Sequence, residues 1–257
     1  ELFLAHLQTH GESGLNAVIG PFAFVWFDLR HQRVLAARDA MGGRSLFYHL
    51  DDEVLLIATS EAALIAHEAV PFELNAGKVG RLLVGEMDME PTSVVEAISV
   101  FKPGSVLSLD SVEFSMTRFY RAPNLDFNGW RDADYAREFR RLLTQATQRR
   151  LRAVGRVGSM LSGGLDSVPM TICAAESSTE NVDAYSWVFD AYPEADERRY
   201  SQLVCENFKL TQHQVLCDQL WPGFDSSMYV NPTLPVGTPY SEFQQATFRC
   251  ARGPVSY

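Results

Sequence analysis

Two serines, two glycines and an aspartate gathered in Ser162-Gly163-Gly164-Leu165-Asp166-Ser167 form the densest cluster of potential chemistry in the chain. The Ser162 and Ser167 hydroxyls can donate to phosphate oxygens, and paired glycines let the backbone turn sharply beside a ligand. Asp166 has the wrong charge for direct phosphate contact and suits a magnesium ion instead. A helix starting just after the loop would add free amides and the positive end of its dipole, which together make an anion site. These residue types point to a nucleotide with its metal. A plain Gly-Gly turn closed by an Asp-Ser cap uses the same letters and stands as the alternative. No lysine follows the glycines and the spacing is too short for a Walker-type loop, and a dinucleotide fingerprint does not fit either.

The flanking segments predict how such a loop would be held. Arg156 to Leu161 reads as a short buried strand. A helix follows, with Ser167 as its expected cap, Pro169 in the first turn and Met170, Ile172, Cys173 and Ala174 as apolar residues beyond. From Arg131 to Arg156 there are eight arginines against Asp132, Asp134 and Glu138, while Tyr135, Phe139, Leu142, Leu143 and Ala146 keep helical spacing. This predicts an amphipathic helix with a solvated basic face. Helix, strand, loop, helix, strand and helix alternate from there on, which predicts a parallel sheet with a ligand at the strand ends. The first half is different. A helix is expected to stop near Gly11, alternation through Phe22, Phe24, Trp26, Val34 and Ala36 predicts a hairpin turning at Arg30 to Gln32, and strands are expected near 46–50 and 54–59. Asn75 caps a short predicted helix, and the Pro103-Gly104 turn is expected to separate two late strands ending near Phe119-Tyr120. Residues 121–133, rich in turn formers at their start, read as a linker between a first domain over 1–120 and a second over 134–257.

Ser162 to Ser167 after an apolar strand resembles the pyrophosphate loop of the ATP pyrophosphatases, and with Leu161 it is similar to that of the asparagine synthetases. Arg149-Arg150-Leu151-Arg152 before the strand, Ala184 to Phe189 as the next strand, Asp196-Glu197-Arg198-Arg199-Tyr200 and His213 fall in the order of that family. Gly20 to Asp28, Ala37-Arg38-Asp39, Gly42, Arg44, Leu46-Phe47-Tyr48, Ser60-Glu61 and Pro103-Gly104 resemble a class II glutamine amidotransferase domain. The resemblance implies an α/β and α+β protein of two domains. The first is the later part of an N-terminal-nucleophile-type αββα amidotransferase, and the second a parallel, doubly wound α/β ATP-pyrophosphatase domain. It implies ATP and Mg2+ as cofactors, with glutamine and aspartate or another carboxylate as substrates. Asp166 would hold the metal, Ser162, Gly163, Gly164, Leu165 and Ser167 the phosphates, and the main chain at Leu161 and Val188 the adenine. The implied reaction is adenylation of a carboxylate with pyrophosphate release, followed by attack of glutamine-derived ammonia. Two alternatives remain: a cyclase of the β-lactam synthetase or lasso-peptide type that needs no glutamine, and a non-catalytic ATP-binding paralogue.

Several positions depart from the family pattern. The amidotransferase nucleophile is an N-terminal cysteine, and Glu1 stands first here, so no catalytic residue of that half is expected within the chain and a partial sequence is expected. Asn16 takes the place of the acidic residue that receives the glutamine ammonium group. Ser45 replaces a proline, and Pro235 a basic residue. The chain stops before the family's Ser-Gly-x-Gly-x-Asp-Glu segment, so it is expected to be inactive alone. Arg38 with Asp39, Ser60-Glu61 and His213 are expected to be structural, the first two as a buried pair and His213 as a satisfied strand histidine.

Bulk properties agree with this reading. At 257 residues the chain can bury two modest cores. A net charge of −10 argues against nucleic acid as a partner. Cys173, Cys205, Cys217 and Cys250 lie far apart without a C-x-x-C, which predicts neither zinc nor disulfides and points to a reducing cytoplasm. No apolar run is long enough for a membrane span, and a homodimer is compatible with everything above.

Overall fold

The computed structural model describes residues 2–86, 92–152, 155–177, 182–220 and 240–251. They divide into two compact units at Leu125/Asp126. The first unit begins with α1 (Leu2–His10), which runs straight into a 3-10 helix over Gly11–Ala17 rather than simply stopping. Strands β1 (Ala23–Asp28), β2 (Arg33–Arg38), β3 (Phe47–Leu50) and β4 (Leu55–Ala58) follow, then α2 (Glu61–Ile65) and α3 (Ala76–Leu83). The unit closes with β5 (Ser99–Val100), β6 (Ser105–Leu109) and β7 (Phe114–Arg118). These make two antiparallel sheets, ordered β1-β2-β6-β7 and β4-β3-β5.

Strand alternation sorts the side chains into layers. Leu35 and Ala37 of β2 and Val106 of β6 pack against Leu7 of α1 and Leu15, while Ala36 and Leu107 between them face the opposite way, against Leu46 and Phe101. Tyr48, Leu55 and Ile57 of the second sheet join that central layer, and Phe47, Leu56 and Ala58 on its other face meet Leu64 of α2. The order is therefore helix, sheet, sheet, helix. Asn75 caps α3 as its sequence predicts, accepting the Lys78 N–H at 2.9 Å. The Pro103-Gly104 turn separates the late strands β5 and β6, as expected, and the last two strands are β6 and β7. Those are joined at Asp110, whose carboxylate accepts the amides of Val112 and Glu113.

The second unit contains α4 (Asp132–Arg150), β8 (Val157–Met160), α5 (Ser167–Ser177), β9 (Val182–Val188), α6 (Arg198–Phe208), β10 (Thr211–Leu216) and α7 (Ser241–Cys250). The strands form a parallel sheet ordered β10-β9-β8. Both faces of β9 are buried, as in sheets covered on two sides. Leu161, Ala184, Cys205 and Val168 pack on the α5–α6 side, and Trp187, Val215 and Phe243 on the α7 side. Helix α4 begins inside the segment expected as linker. Its arginines pair along the surface, Arg137 with Asp134, Arg141 with Glu138 and Arg140 with Glu176. Among the described residues no helix is long and apolar enough to cross a membrane.

Candidate nucleotide site

The loop Leu161–Ser167 leaves the carboxyl end of β8 and enters α5. Its first residue is locked into the sheet: the Leu161 amide donates to the Tyr185 carbonyl at 2.8 Å, and its carbonyl accepts from the Ser186 hydroxyl at 2.7 Å. Beyond it the chain curls on itself. The Ser162 amide donates to Ser167 Oγ at 3.2 Å, the Gly164 amide donates to Ser162 Oγ at 3.2 Å, and the two hydroxyls stand 3.0 Å apart. Ser167 is the first residue of α5 and its hydroxyl bonds back to the loop, so it ties the loop closed instead of capping its own helix. Gly163 adopts φ +95°, and a Cβ there would lie 2.7 Å from Tyr200 Cβ and 3.3 Å from the Glu197 carbonyl. A side chain is excluded both by conformation and by the start of α6.

Leu165 is 94% exposed, so only its main chain can serve the loop. Asp166 is exposed at the rim. Among the described residues no three His, Cys, Asp or Glu side chains gather as a metal-binding group.

Beside the loop opens a cleft of about 280 Å3. Met160, Leu161, Ser162 and Ser167 form its floor, and Tyr185, Trp187 and Phe189 of β9 and the residue after it form an aromatic wall. Ala195, Glu197 and Gln244 of α7 complete the lining. The wall is anchored: Trp187 Nε1 donates to the Thr247 hydroxyl at 2.9 Å, and its ring meets Phe243 at 5.1 Å between centroids. Asp196 shapes the turn that presents Glu197. It accepts the Phe189 amide at 3.1 Å and the Arg198 amide at 2.7 Å, and pairs with the Arg198 guanidinium. Burial pushes its carboxyl upward, yet these bonds outweigh it and hold Asp196 below the usual carboxylate range. Val188 lies outside the cleft lining, with its carbonyl accepting the Cys217 amide at 3.0 Å.

The remaining expected residues fall elsewhere. Arg38 and Asp39 do not form a mutual pair. Asp39, 2% exposed, accepts the amides of Phe22, Met41, Gly43 and Arg44, while Arg38 donates to the carbonyls of Gly42, Arg44 and Phe101. The two side chains thus bind the 39–44 turn from opposite chemical sides. Glu61 is buried at the start of α2, and Asn16 is exposed on the 3-10 helix. His213 is not fully satisfied: its Nε2 is buried 3.4 Å from Asp183 Oδ2 without hydrogen-bond geometry, and the ring stacks on Tyr185 at 4.7 Å. Asp183 is held below the usual carboxylate range chiefly by hydrogen bonding to Arg156, with burial opposing. Burial pushes the Cys217 thiol up to about 11, so it is no thiolate nucleophile near neutrality. The 231–239 segment with Pro235, and the final six residues, lie outside the described residues.

A two-sheet αββα unit is thus followed by a parallel α/β unit in which a Gly-Gly loop joins the first strand to its helix. The glutamine amidotransferase domain family matches residues 1–120 and the asparagine synthase family residues 138–220. The chain thus carries a glutamine amidotransferase domain followed by an asparagine synthase domain, and its relatives include glutamine-hydrolysing asparagine synthetases. The asparagine synthetase [glutamine-hydrolyzing] of Homo sapiens is 30% identical over 178 residues, covering 64% of this chain and 29% of that protein. Asparagine synthetase [glutamine-hydrolyzing] 3 of Bacillus subtilis (strain 168) is 23% identical over 222 residues, covering 81% of this chain and 36% of its own length. Amidase chry2 of Gibberella zeae is 30% identical over 171 residues, covering 65% of this chain and 25% of its own. The chain thus spans between a quarter and about a third of the length of these relatives.

Proposed function

We propose that this chain carries the nucleotide-activating site of an ATP-dependent, glutamine-using ligase that forms amides. The observation behind this reading is the self-closed Ser162–Ser167 loop at the carboxyl end of a parallel strand, with an aromatic cleft beside it. The cleft, about 280 Å3, falls just below the ~300–1,000 Å3 common for small-molecule sites, which suits a nucleoside whose phosphates lie outside it over the loop. Hydroxyls that now occupy the Ser162 and Gly164 amides can rotate to donate to phosphate oxygens, freeing those amides to do the same.

In the proposed reaction an acid substrate, aspartate by default, attacks the α-phosphorus of ATP through its carboxylate oxygen. The bond to the β-phosphate oxygen breaks, and an acyl-adenylate and pyrophosphate result. Ammonia from glutamine then attacks the acyl carbon and displaces AMP. Loop amides and hydroxyls hold the departing pyrophosphate, where negative charge grows most. Asp166 suits magnesium: a lone exposed carboxylate beside bound phosphates matches an ion that takes one or two protein carboxylates and fills its shell with phosphate oxygens and water. When bound there it would neutralise phosphate charge. Cysteine chemistry for glutamine hydrolysis is assigned to no residue of this chain.

The test is equilibrium ATP binding with magnesium, followed by pyrophosphate release from the complete ligase with candidate acids. Asp166→Asn is expected to fold normally and to abolish pyrophosphate release. Wild-type release from that variant would overturn the metal assignment, and no ATP binding to the wild-type chain would overturn the nucleotide reading itself.

A further inference from the structure

The root of the Ser162–Ser167 loop is tied to helix α6 through a side chain that belongs to neither. Gln212 lies on β10, which pairs with β9 and is separated from β8 by it. Its Nε2 donates to the Ser186 hydroxyl at 3.0 Å and to the Ser201 hydroxyl at 2.8 Å. Both hydroxyls then donate onward to main chain. Ser186 reaches the Leu161 carbonyl at 2.7 Å, where the loop begins, and Ser201 reaches the Arg198 carbonyl at 3.0 Å, in the first turn of α6. Ser186 and Ser201 are 2% and 0% exposed, so each depends on protein partners.

The polarity of this relay is forced. A hydroxyl has one hydrogen, and each serine spends it on a carbonyl, so toward Gln212 it can only accept. A carboxamide nitrogen carries two hydrogens, one for each serine. A thioether or hydrocarbon of the same reach supplies neither. Both arms end at groups that set the loop's position. Leu161 enters the loop with its amide already held by Tyr185, and the Ser186 arm holds its carbonyl as well. On the other arm, the residue whose hydroxyl Gln212 holds also has its amide nitrogen 3.3 Å from where a Gly163 Cβ would stand, with Tyr200 Cβ at 2.7 Å. Gly163 and α6 thus meet without slack, and a shift of α6 passes to the loop. Phosphate recognition does not tolerate such a shift, because hydrogen bonds to oxygen are confined to about 2.7–3.2 Å.

We infer that Gln212 is a positioning residue for phosphate binding: by donating to Ser186 and Ser201 together it sets the spacing between the loop's root and α6 without touching the ligand. This rests on the nucleotide reading above and adds a residue outside the cleft lining on which that site depends.

The experiment is calorimetric titration of the wild-type chain, Gln212→Met, Ser201→Ala and the double variant with inorganic pyrophosphate and with ATP, both with magnesium, alongside urea unfolding of each. Gln212→Met keeps the length of the side chain and removes both donors. Its pyrophosphate dissociation constant should rise about tenfold, the worth of one net hydrogen bond, with one site per chain retained. Ser201→Ala cuts one arm and should raise the constant less, and the double variant should match Gln212→Met, because that arm has already lost its donor. A merely structural role would lower the number of sites or the urea midpoint and leave the dissociation constant unmoved, and that result would overturn the inference. Losses that multiply in the double variant would overturn it as well, by making the two residues independent. Should Gln212→Met not fold, Ser201→Ala decides: a raised constant supports the inference and an unchanged one overturns it. A wild-type chain that binds neither ATP nor pyrophosphate would instead overturn the nucleotide reading beneath it.

Discussion

Replacing Gly163 by alanine tests the loop most directly, because two independent penalties meet there. At φ +95° an L-residue is strained, and left-handed conformations cost roughly 1–2 kcal/mol per non-glycine residue. The new methyl would also sit 2.7 Å from Tyr200 Cβ, with the Glu197 carbonyl and the Ser201 amide nitrogen each at 3.3 Å, so backbone on α6 blocks an easy escape. Overpacking of that kind costs about 1–3 kcal/mol. The second unit should therefore lose about 2–5 kcal/mol, or keep its stability only by swinging the loop away from α6 and losing phosphate affinity. Gly80 supplies the control: it lies within α3 with nothing within 4 Å of an added methyl, so Gly80→Ala should stabilise by about 0.5–1 kcal/mol. Urea unfolding followed by tryptophan fluorescence, with pyrophosphate titration on the same samples, reads both outcomes. Gly163→Ala with unchanged stability and unchanged pyrophosphate affinity would refute the reasoning.

In the first unit Asp39→Asn turns an acceptor of four amides into a group with a donor facing two of them, at 3.0 and 3.2 Å, and should cost about 2–4 kcal/mol in urea titration. Acid should act through the same residue. Burial raises the Asp39 pKa, the four amides outweigh it, and the net value is lowered; its stabilisation is then complete above about pH 4, the ordinary carboxylate value, and lost as pH falls through the depressed one. Asp183, lowered by Arg156, should give the second unit an acid limb of the same sign, and Asp183→Asn should flatten that limb in pH-dependent unfolding.

Much of the first unit is legible because burial alternates with the strand period. Phe24 and Trp26 face one way on β1, and Ala36 and Leu107 occupy the middle layer between residues that face out of it. What escapes is short or irregular. Helix α2 spans five residues, fewer than two turns, so no period can appear, yet it contributes Leu64 to a core. The 3-10 helix at Gly11–Ala17 is tied to α1 by His6, whose Nε2 lies 2.9 Å from the Gly14 carbonyl, and a Cβ on Gly14 would meet His10 Cβ and His6 Nε2 at 2.8 Å, a closeness no periodic pattern announces. The expected Arg38–Asp39 pair does not form because each side chain is committed to backbone groups where β2 ends, Asp39 to amides and Arg38 to carbonyls.

The Ser162–Ser167 loop is legible as a sharp strand-to-helix connection because its demands are local. Glycines at a sharp turn and hydroxyls near a helix start leave their mark within seven residues, and only the tie from Ser167 back to Ser162 belongs to the folded loop alone. The cleft's far wall leaves no such mark. Gln244 sits in an amphipathic helix, where a polar residue reads as solvent-facing. Its inward position follows from a tertiary requirement: Trp187, packed in the sheet's face, needs an acceptor for its indole N–H. Thr247 meets that need while Phe243, one turn earlier, packs on the same ring. Those two contacts orient α7, and Gln244, between them on the helix, is carried to the rim of the cleft. A cleft-lining residue is thus placed by a hydrogen bond it does not make, which is why the loop is readable from one segment and the α7 side of the cleft is not.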